Sequence, residues 1–316
     1  MLTDVKGIQV GHAQNYEAGT GCTVILCKDG AVAGVDVRGG APGTRETDLL
    51  SPENLIEKVH AIYLGGGSAF GLDGASGVMH FLEENKIGFD VGVTKVPIVP
   101  AAVIFDLNVG DYRIRPDFKM GYEACLNAKS VDNASGNVGA GTGATVGKYL
   151  GDEFSMKGGL GTYSIRIGDL VVAALVVVNC LGDVVDPATG EILAGALNEG
   201  KTGFANTIET IKKGFMSQNI FSGNTTIGVV ATNALLSKAH AKKVASMAHN
   251  GYARAIRPVH TMADGDTIFC LSLGEVKADV SIVGVLAAEV VAKAIVNAVK
   301  SAEPLYGKMA YKSFAI

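Results

Sequence analysis

Apolar residues along the 316-residue chain gather in short blocks set off by glycine and polar turns. Residues 22–27 (CTVILC) and 31–37 (AVAGVDV) predict two strands around a Lys-Asp-Gly turn. The stretch GTYSIRIGDLVVAALVVVN predicts two more around Gly168-Asp169, and its part 170–178 is apolar at every position, as in a strand buried on both faces. Further strands are predicted at 226–232, at 267–273 and, briefly, near Ala61–Leu64. Ser51 with Pro52 and Glu53 has the look of a helix start. A turn at Gly65, Gly66 and Gly67 precedes a helix capped by Ser68 and running through Glu84, and shorter or longer helices are predicted at 118–129, 237–249 and 278–300. The last is so apolar that it must be largely buried. Residues 183–224 are weakly patterned and predict a surface excursion with short helices. This order of elements predicts an α+β chain, with antiparallel-type sheets layered between helices in a single domain over 1–316.

Composition narrows the possibilities. The net charge of −4 with no long run of one sign argues against a nucleic-acid-binding face. Apolar runs are interrupted by Gly, Asp or Lys, so no membrane span is expected. The opening MLTDVKGIQVGH has no apolar signal core, which predicts a cytoplasmic protein. Five cysteines, an odd number in or beside apolar segments, predict buried thiols. The 42 glycines predict tight turns and close backbone approaches.

Common site signatures fail one by one. NVGAGTGATVGK (137–148) is not a P-loop, because Thr142 and Tyr149 stand where Gly and Ser or Thr are needed. A dinucleotide fingerprint fits loosely but lacks the strand before it, so a glycine-rich turn with close packing is expected. The six histidines are scattered, without HExxH or a zinc-spaced cysteine pair, and no metal is expected. There is no G-x-S-x-G elbow. What remains is SGNTTIGVVATN (222–233), where two threonines stand between a turn and a strand.

That stretch belongs to a series. DVKGIQVGH (4–12), GVDVRGGAPGTRETDLL (34–50), AIYLGGGSAFGLDGASGV (61–78), GNVGAGTGATVGK (136–148), MKGGLGTYS (156–164), VVVNCLGD (176–183), NTTIGVVATNA (224–234) and HTMADGDTIF (260–269) run in order over nearly the whole chain. With them the chain resembles the L-aminopeptidase/D-esterase (DmpA-like) peptidases, most of all their nylon-oligomer hydrolase branch. The resemblance implies an αββα sandwich of the N-terminal-nucleophile type. It implies a precursor that cuts itself between Asn224 and Thr225 into 1–224 and 225–316, with Thr225 as nucleophile and Thr226 the weaker candidate. It also implies tetramers of cleaved protomers, hence a homo-oligomer, and assigns Lys157 as the catalytic lysine, Asn179 as an oxyanion donor and Asp264 and Asp266 as an acidic pair. Lys148 lies outside the Lys-Gly-Gly motif and is set aside.

The chemistry is coherent. A threonine hydroxyl needs a base, and a new N-terminal amine, with an ordinary pKa of about 7.7–8.0, can serve. A cation near the hydroxyl would favour its alkoxide-like form, an Asn amide can donate to an oxyanion, and carboxylates at alternate extended positions can hold the ammonium. The substrates implied are small peptides, amino-acid amides or linear oligoamides such as 6-aminohexanoate oligomers, with no cofactor. An aminopeptidase without nylon activity, an acyltransferase of related fold and a non-catalytic binding protein remain as alternatives.

Overall fold

The computed structural model describes residues 1–214 and 223–314. Ser222 and the end of the expected surface excursion, residues 215–222, lie outside the described residues.

Nine strands share one hydrogen-bonded network: β1 (Gln9–Asn15), β2 (Thr20–Val37), β3 (Thr44–Arg45), β4 (Lys58–Gly65), β5 (Ala101–Val103), β6 (Gly159–Ile167), β7 (Leu170–Asn179), β8 (Thr225–Ala234) and β9 (Thr267–Val276). Their order is β6-β7-β8-β9-β2-β4-β5-β3, with β1 paired to β2. Only β8 with β9 and β4 with β5 run parallel. Strand β2 explains how this network becomes two layers. Its early residues pair with β1 and β4, and its late residues with β9. The Lys-Asp-Gly step expected to separate two strands is instead a register break within one long strand, between Leu26 and Ala31. Gly30 takes a left-handed φ of +81° there, which costs glycine little.

Side-chain alternation then sorts the core. Ile25, Ala33, Ile62, Leu64, Leu175, Val177, Ile227, Val229, Phe269 and Leu271 form one cluster, drawn from both halves of the network and therefore lying between the two sheets. The alternate residues Val172, Ala174, Val176, Val230, Ile268 and Cys270 pack outward on α4 (Lys238–Ala255) and α5 (Val280–Ser301). Val24, Leu26, Ala61 and Tyr63 pack outward on α1 (Gly74–Glu84) and α2 (Phe118–Leu126). Helices, two sheets and helices make the αββα sandwich.

Helix α5 has 22 residues, with an 18-residue stretch at a mean hydropathy of 2.0, long and apolar enough to cross a membrane. Here it is a core helix, with 13 of those residues buried. Asp279 caps it by accepting from the N–H groups of Ser281 and Ile282. Its close approach to β6 depends on Gly161, where a Cβ would lie 2.2 Å from the carbonyl oxygen of Ala294. All five cysteines are free and buried.

Three further expectations need correction. No helix forms at 51–57, because that segment buries only Ile56 and has no apolar face to pack; β4 begins directly at Lys58. The helix after Gly67 starts as a 3-10 turn, Ser68–Asp73, and Ser68 makes no cap bond. The excursion starts inside the protein: Asp183–Val185 is a buried strand between Ile192–Ala194 and Ile256–Arg257, and the only helix described within it is α3 (Thr207–Lys213). The other predicted elements stand where the pattern put them, with ends moved by a few residues.

Gly161→Val should push α5 off the sheet. Overpacking a tight core costs about 1–3 kcal/mol. A lowered denaturation midpoint relative to the parent is expected, and an unchanged midpoint would mean that the helix and strand can separate freely.

Candidate active site

Thr225 is the first residue of β8, and it has the parity of Ile227 and Val229, so its side chain points between the sheets. Thr226 points to the other side, where its hydroxyl is buried without a hydrogen-bond partner among the described residues. Asn179, the last residue of β7, is the direct Cα partner of Thr225 and has the same parity as the inner residues of its strand. Two polar side chains thus end two apolar strands at one edge of the inner core.

The Thr225 hydroxyl donates to the carbonyl of Asn224, the residue before it. The same carbonyl accepts from the Gly265 N–H at 2.9 Å. Thr225 is only 4% exposed, at the wall of a pocket of about 150 Å³. Ala41, Pro42, Ala69, Val103, Ile104 and Phe105 supply much of the remaining lining, and no charged side chain is among the lining residues described.

Asn179 is fully buried and its orientation is set from both ends of the amide. Its Oδ1 accepts from the Thr145 N–H (2.9 Å) and from Lys148 Nζ (3.0 Å). Its Nδ2 is thereby turned toward the carbonyls of Phe105 (3.0 Å) and Gly223 (3.5 Å). Lys148 Nζ also donates to the Asn179 carbonyl (3.0 Å) and the Gly223 carbonyl (3.4 Å). Burial lowers the Lys148 pKa to about 8.

Lys157 has a different place. Its ammonium donates to the carbonyls of Thr142 (2.8 Å) and Ala144 (2.7 Å), with no hydrogen bond to Thr225, Asn224 or Asn179 among the described residues. Burial pulls it down to about 7, opposed by the charge of Asp106. Asp106 is itself buried and raised by burial to about 6, and it accepts from the Gly67 N–H (2.6 Å) and the Thr20 hydroxyl (2.8 Å). Lys157 therefore ties down the glycine-rich loop whose next residue, Thr145, orients Asn179. That loop is the close-packed turn expected of it: a Cβ on Gly143 would lie 2.1 Å from the Gly19 carbonyl oxygen. The cation bonded to Asn179 is Lys148, the lysine that motif reasoning set aside. A signal existed: Lys148 is the one charged residue between Asp132 and Asp152, in a run of small and apolar residues.

Asp264 and Asp266 flank Gly265 beside the start of β8, where Asn224 bridges to Asp264. Asp264 accepts from the N–H (3.0 Å) and hydroxyl (2.5 Å) of Thr261, and burial followed by the charge of Asp266 raises its pKa. Asp266 is fully buried and accepts from the Thr226 N–H (2.7 Å) and from His260. The hydrogen bonds of both carboxylates go to the Thr226 N–H, to the Leu181 N–H (3.4 Å, on Asp264) and to the turn itself. The glycines of VDVRGGAPG seat this turn: Arg38 N–H donates to the Asp266 carbonyl and Ala41 N–H to that of Asp264, and a Cβ on Gly39 would lie 2.2 Å from the Asp264 carbonyl oxygen.

Comparison with known proteins agrees with this architecture. The model of peptidase family S58 matches residues 1–312. An uncharacterized aminopeptidase of Mycobacterium tuberculosis is 43% identical over 98% of this chain and 96% of its own length. A 6-aminohexanoate-oligomer endohydrolase of Kocuria sp. is 32% identical over 94% of this chain and 85% of its own length. Among solved structures, the L-aminopeptidase D-Ala-esterase/amidase of Ochrobactrum anthropi, a variant of the N-terminal-nucleophile hydrolase fold, superposes with a TM-score of 0.72 at 18% identity, covering 96% of this chain and 86% of that one. A Burkholderia sp. beta-aminopeptidase gives 0.72 at 21% identity, covering 99% and 91%. The chain belongs to peptidase family S58 and is a hydrolase of peptide or amide bonds.

Proposed function

We propose that the chain cuts itself between Asn224 and Thr225 and then hydrolyses amides with Thr225 as an N-terminal nucleophile. The observation that carries this reading is the Thr225 hydroxyl against the Asn224 carbonyl, whose oxygen already accepts from Gly265 N–H. In the first step the hydroxyl oxygen bonds to the Asn224 carbonyl carbon, and negative charge gathers on an oxygen held by a backbone donor. The C–N bond then breaks, and the nitrogen takes the proton lost by the hydroxyl. An ester and a free α-amine result. Water hydrolyses the ester, leaving the Asn224 carboxyl group and the Thr225 hydroxyl.

Turnover repeats this chemistry on a substrate, with the new amine as base. Lys148 Nζ and Asn179 Nδ2 both reach the Gly223 carbonyl in the uncut chain. Movement of the released end would free these two donors for a substrate carbonyl. Asp266 and Asp264 stand one residue away and would hold the ammonium form of the amine. Lys157 acts behind the site, by fixing the loop that orients Asn179, with the charge of Asp106 favouring its ammonium form.

The pocket suggests what is cleaved. A charged acyl group would lose its water there without an opposite charge in the lining, which is costly. Short peptides, amino-acid amides or linear oligoamides with an uncharged acyl part beside the scissile carbonyl fit this lining. The aminopeptidase and oligoamide hydrolase relatives bracket that class.

Thr225→Ala should remain a folded, uncut and inactive chain, Thr225→Ser should cut slowly, and Thr226→Ala should cut and turn over. Lys148→Met and Asn179→Ala should each slow cutting and turnover by about 10² to 10³, the usual worth of an oxyanion donor. Lys157→Met should act more weakly on kcat once the fold is intact. One denaturing gel and one amide assay test the set; cutting that survives in Thr225→Ala, or a larger kcat loss in Lys157→Met than in Lys148→Met, would contradict it.

Paired anilides differing only in the acyl group test the pocket. The apolar acyl group should give a kcat/KM at least about tenfold above its carboxylate-bearing counterpart, a difference of about 1.4 kcal/mol. Preference for the charged member would contradict the assignment.

A further inference from the structure

The acidic turn is backed by an imidazole pair that the chemistry above leaves unused. Asp266 splits its two oxygens. Oδ1 accepts from the Thr226 N–H at 2.7 Å, and Oδ2 accepts from both the N–H (3.1 Å) and the Nδ1–H (2.8 Å) of His260. The Nδ1 proton follows from the partner, because a carboxylate can only accept. His260 packs its ring edge-on against His249, with centroids 4.8 Å apart, and tilted against Tyr252 at 6.0 Å. His249 is fully buried, and its Nε2 must carry a proton because it faces the Asp36 carbonyl at 2.9 Å. Burial lowers the His249 pKa to about 4, so this ring is neutral and acts as a fixed wall.

The backbone of His260 gives a second, independent indication. Its φ is +58°, a left-handed conformation that glycine or asparagine adopts at less cost. Histidine at this angle retains a ring that reaches Asp266 and fills the space in front of His249.

We infer that His260 is a positioning residue for the amide hydrolysis, holding the Asp266 carboxylate in the rotamer that keeps its other oxygen on the first peptide of β8. This inference rests on the proposed role of Thr225. In the uncut chain the anchored oxygen fixes the Thr226 N–H and so the direction in which Thr225 leaves the turn. After cutting, the same restraint keeps the carboxylate beside the new amine, one residue away. Without the ring, Oδ2 would retain only the His260 backbone N–H, and the carboxylate would be free to turn about its χ angles.

The test compares His260→Ala with His260→Asn, beside the parent and Thr225→Ala. Asparagine tolerates the left-handed backbone and places an amide N–H as many bonds from Cα as histidine Nδ1–H. His260→Ala should slow self-cutting and lower kcat about tenfold or more, with KM within about twofold, because transition-state geometry and not substrate binding is lost. His260→Asn should recover most of both rates. Apparent Tm is measured for each variant. A His260→Ala protein with parental rates, or a His260→Asn protein as slow as the Ala variant, overturns the positioning role. Failure of the underlying reading is seen separately: a Thr225→Ala chain that still cuts removes the nucleophile, whatever His260 does.

Discussion

The pairing of Asn179 with Thr225 governs the site. Both residues end strands whose inner faces are apolar, and the register between β7 and β8 brings them side by side. A slip of one residue would turn Ile227, Val229 and Ala231 out of the inner core and bring Thr226 to the pocket, so hydrophobic burial along the whole strand enforces the placement of one hydroxyl. The parallel partner β9 brings the acidic turn to the same end, because Ile227 pairs with Thr267, just after Asp266. The Thr225 hydroxyl, the Asn179 amide and the carboxylates thus come together through strand pairing, and loops have only to hold what the sheet delivers.

Holding it requires burying charge. Lys148 and Lys157 are almost wholly out of water, and burial alone would expel their protons; carbonyl oxygens and the carboxylate of Asp106 supply part of what water gave. Each cation has its own task. Lys148 fixes which way the Asn179 amide faces, and Lys157 closes the glycine-rich loop that supplies the Thr145 N–H to the same amide. The glycines that dominate the composition are the counterpart of this crowding, since at Gly39 and Gly143 another chain segment occupies the place of a side chain.

Much of this was legible in the sequence because it is carried by patterns that act over many residues. The continuous apolar run at 170–178, the amphipathic and buried helices and the start of the 226–232 strand follow from alternation and burial, and the ordered motifs led to the family and the sandwich. Local signals misled where tertiary pairing overruled them. Ser51-Pro52-Glu53 looks like a helix start, yet the residues after it have no face to bury, and Val59–Leu64 are claimed by β2 and β5. The division of labour between Lys148 and Lys157 could not be read from motif spacing, because it depends on which carbonyls two distant loops present. His260 gave no signal of its own, since its role arises from a turn that only the folded chain makes.

The central claim is that the Asn224–Thr225 bond is the one cut and that Thr225 then carries the acyl group. Intact mass of the purified protein, followed by rapid quenching with a chromogenic ester and peptide mapping, addresses both parts at once. The account predicts two pieces, 1–224 and 225–316, with the acyl mass on residue 225 of the smaller. A chain that stays whole through long incubation yet turns over the ester, or an acyl group mapped to any other residue, would contradict it.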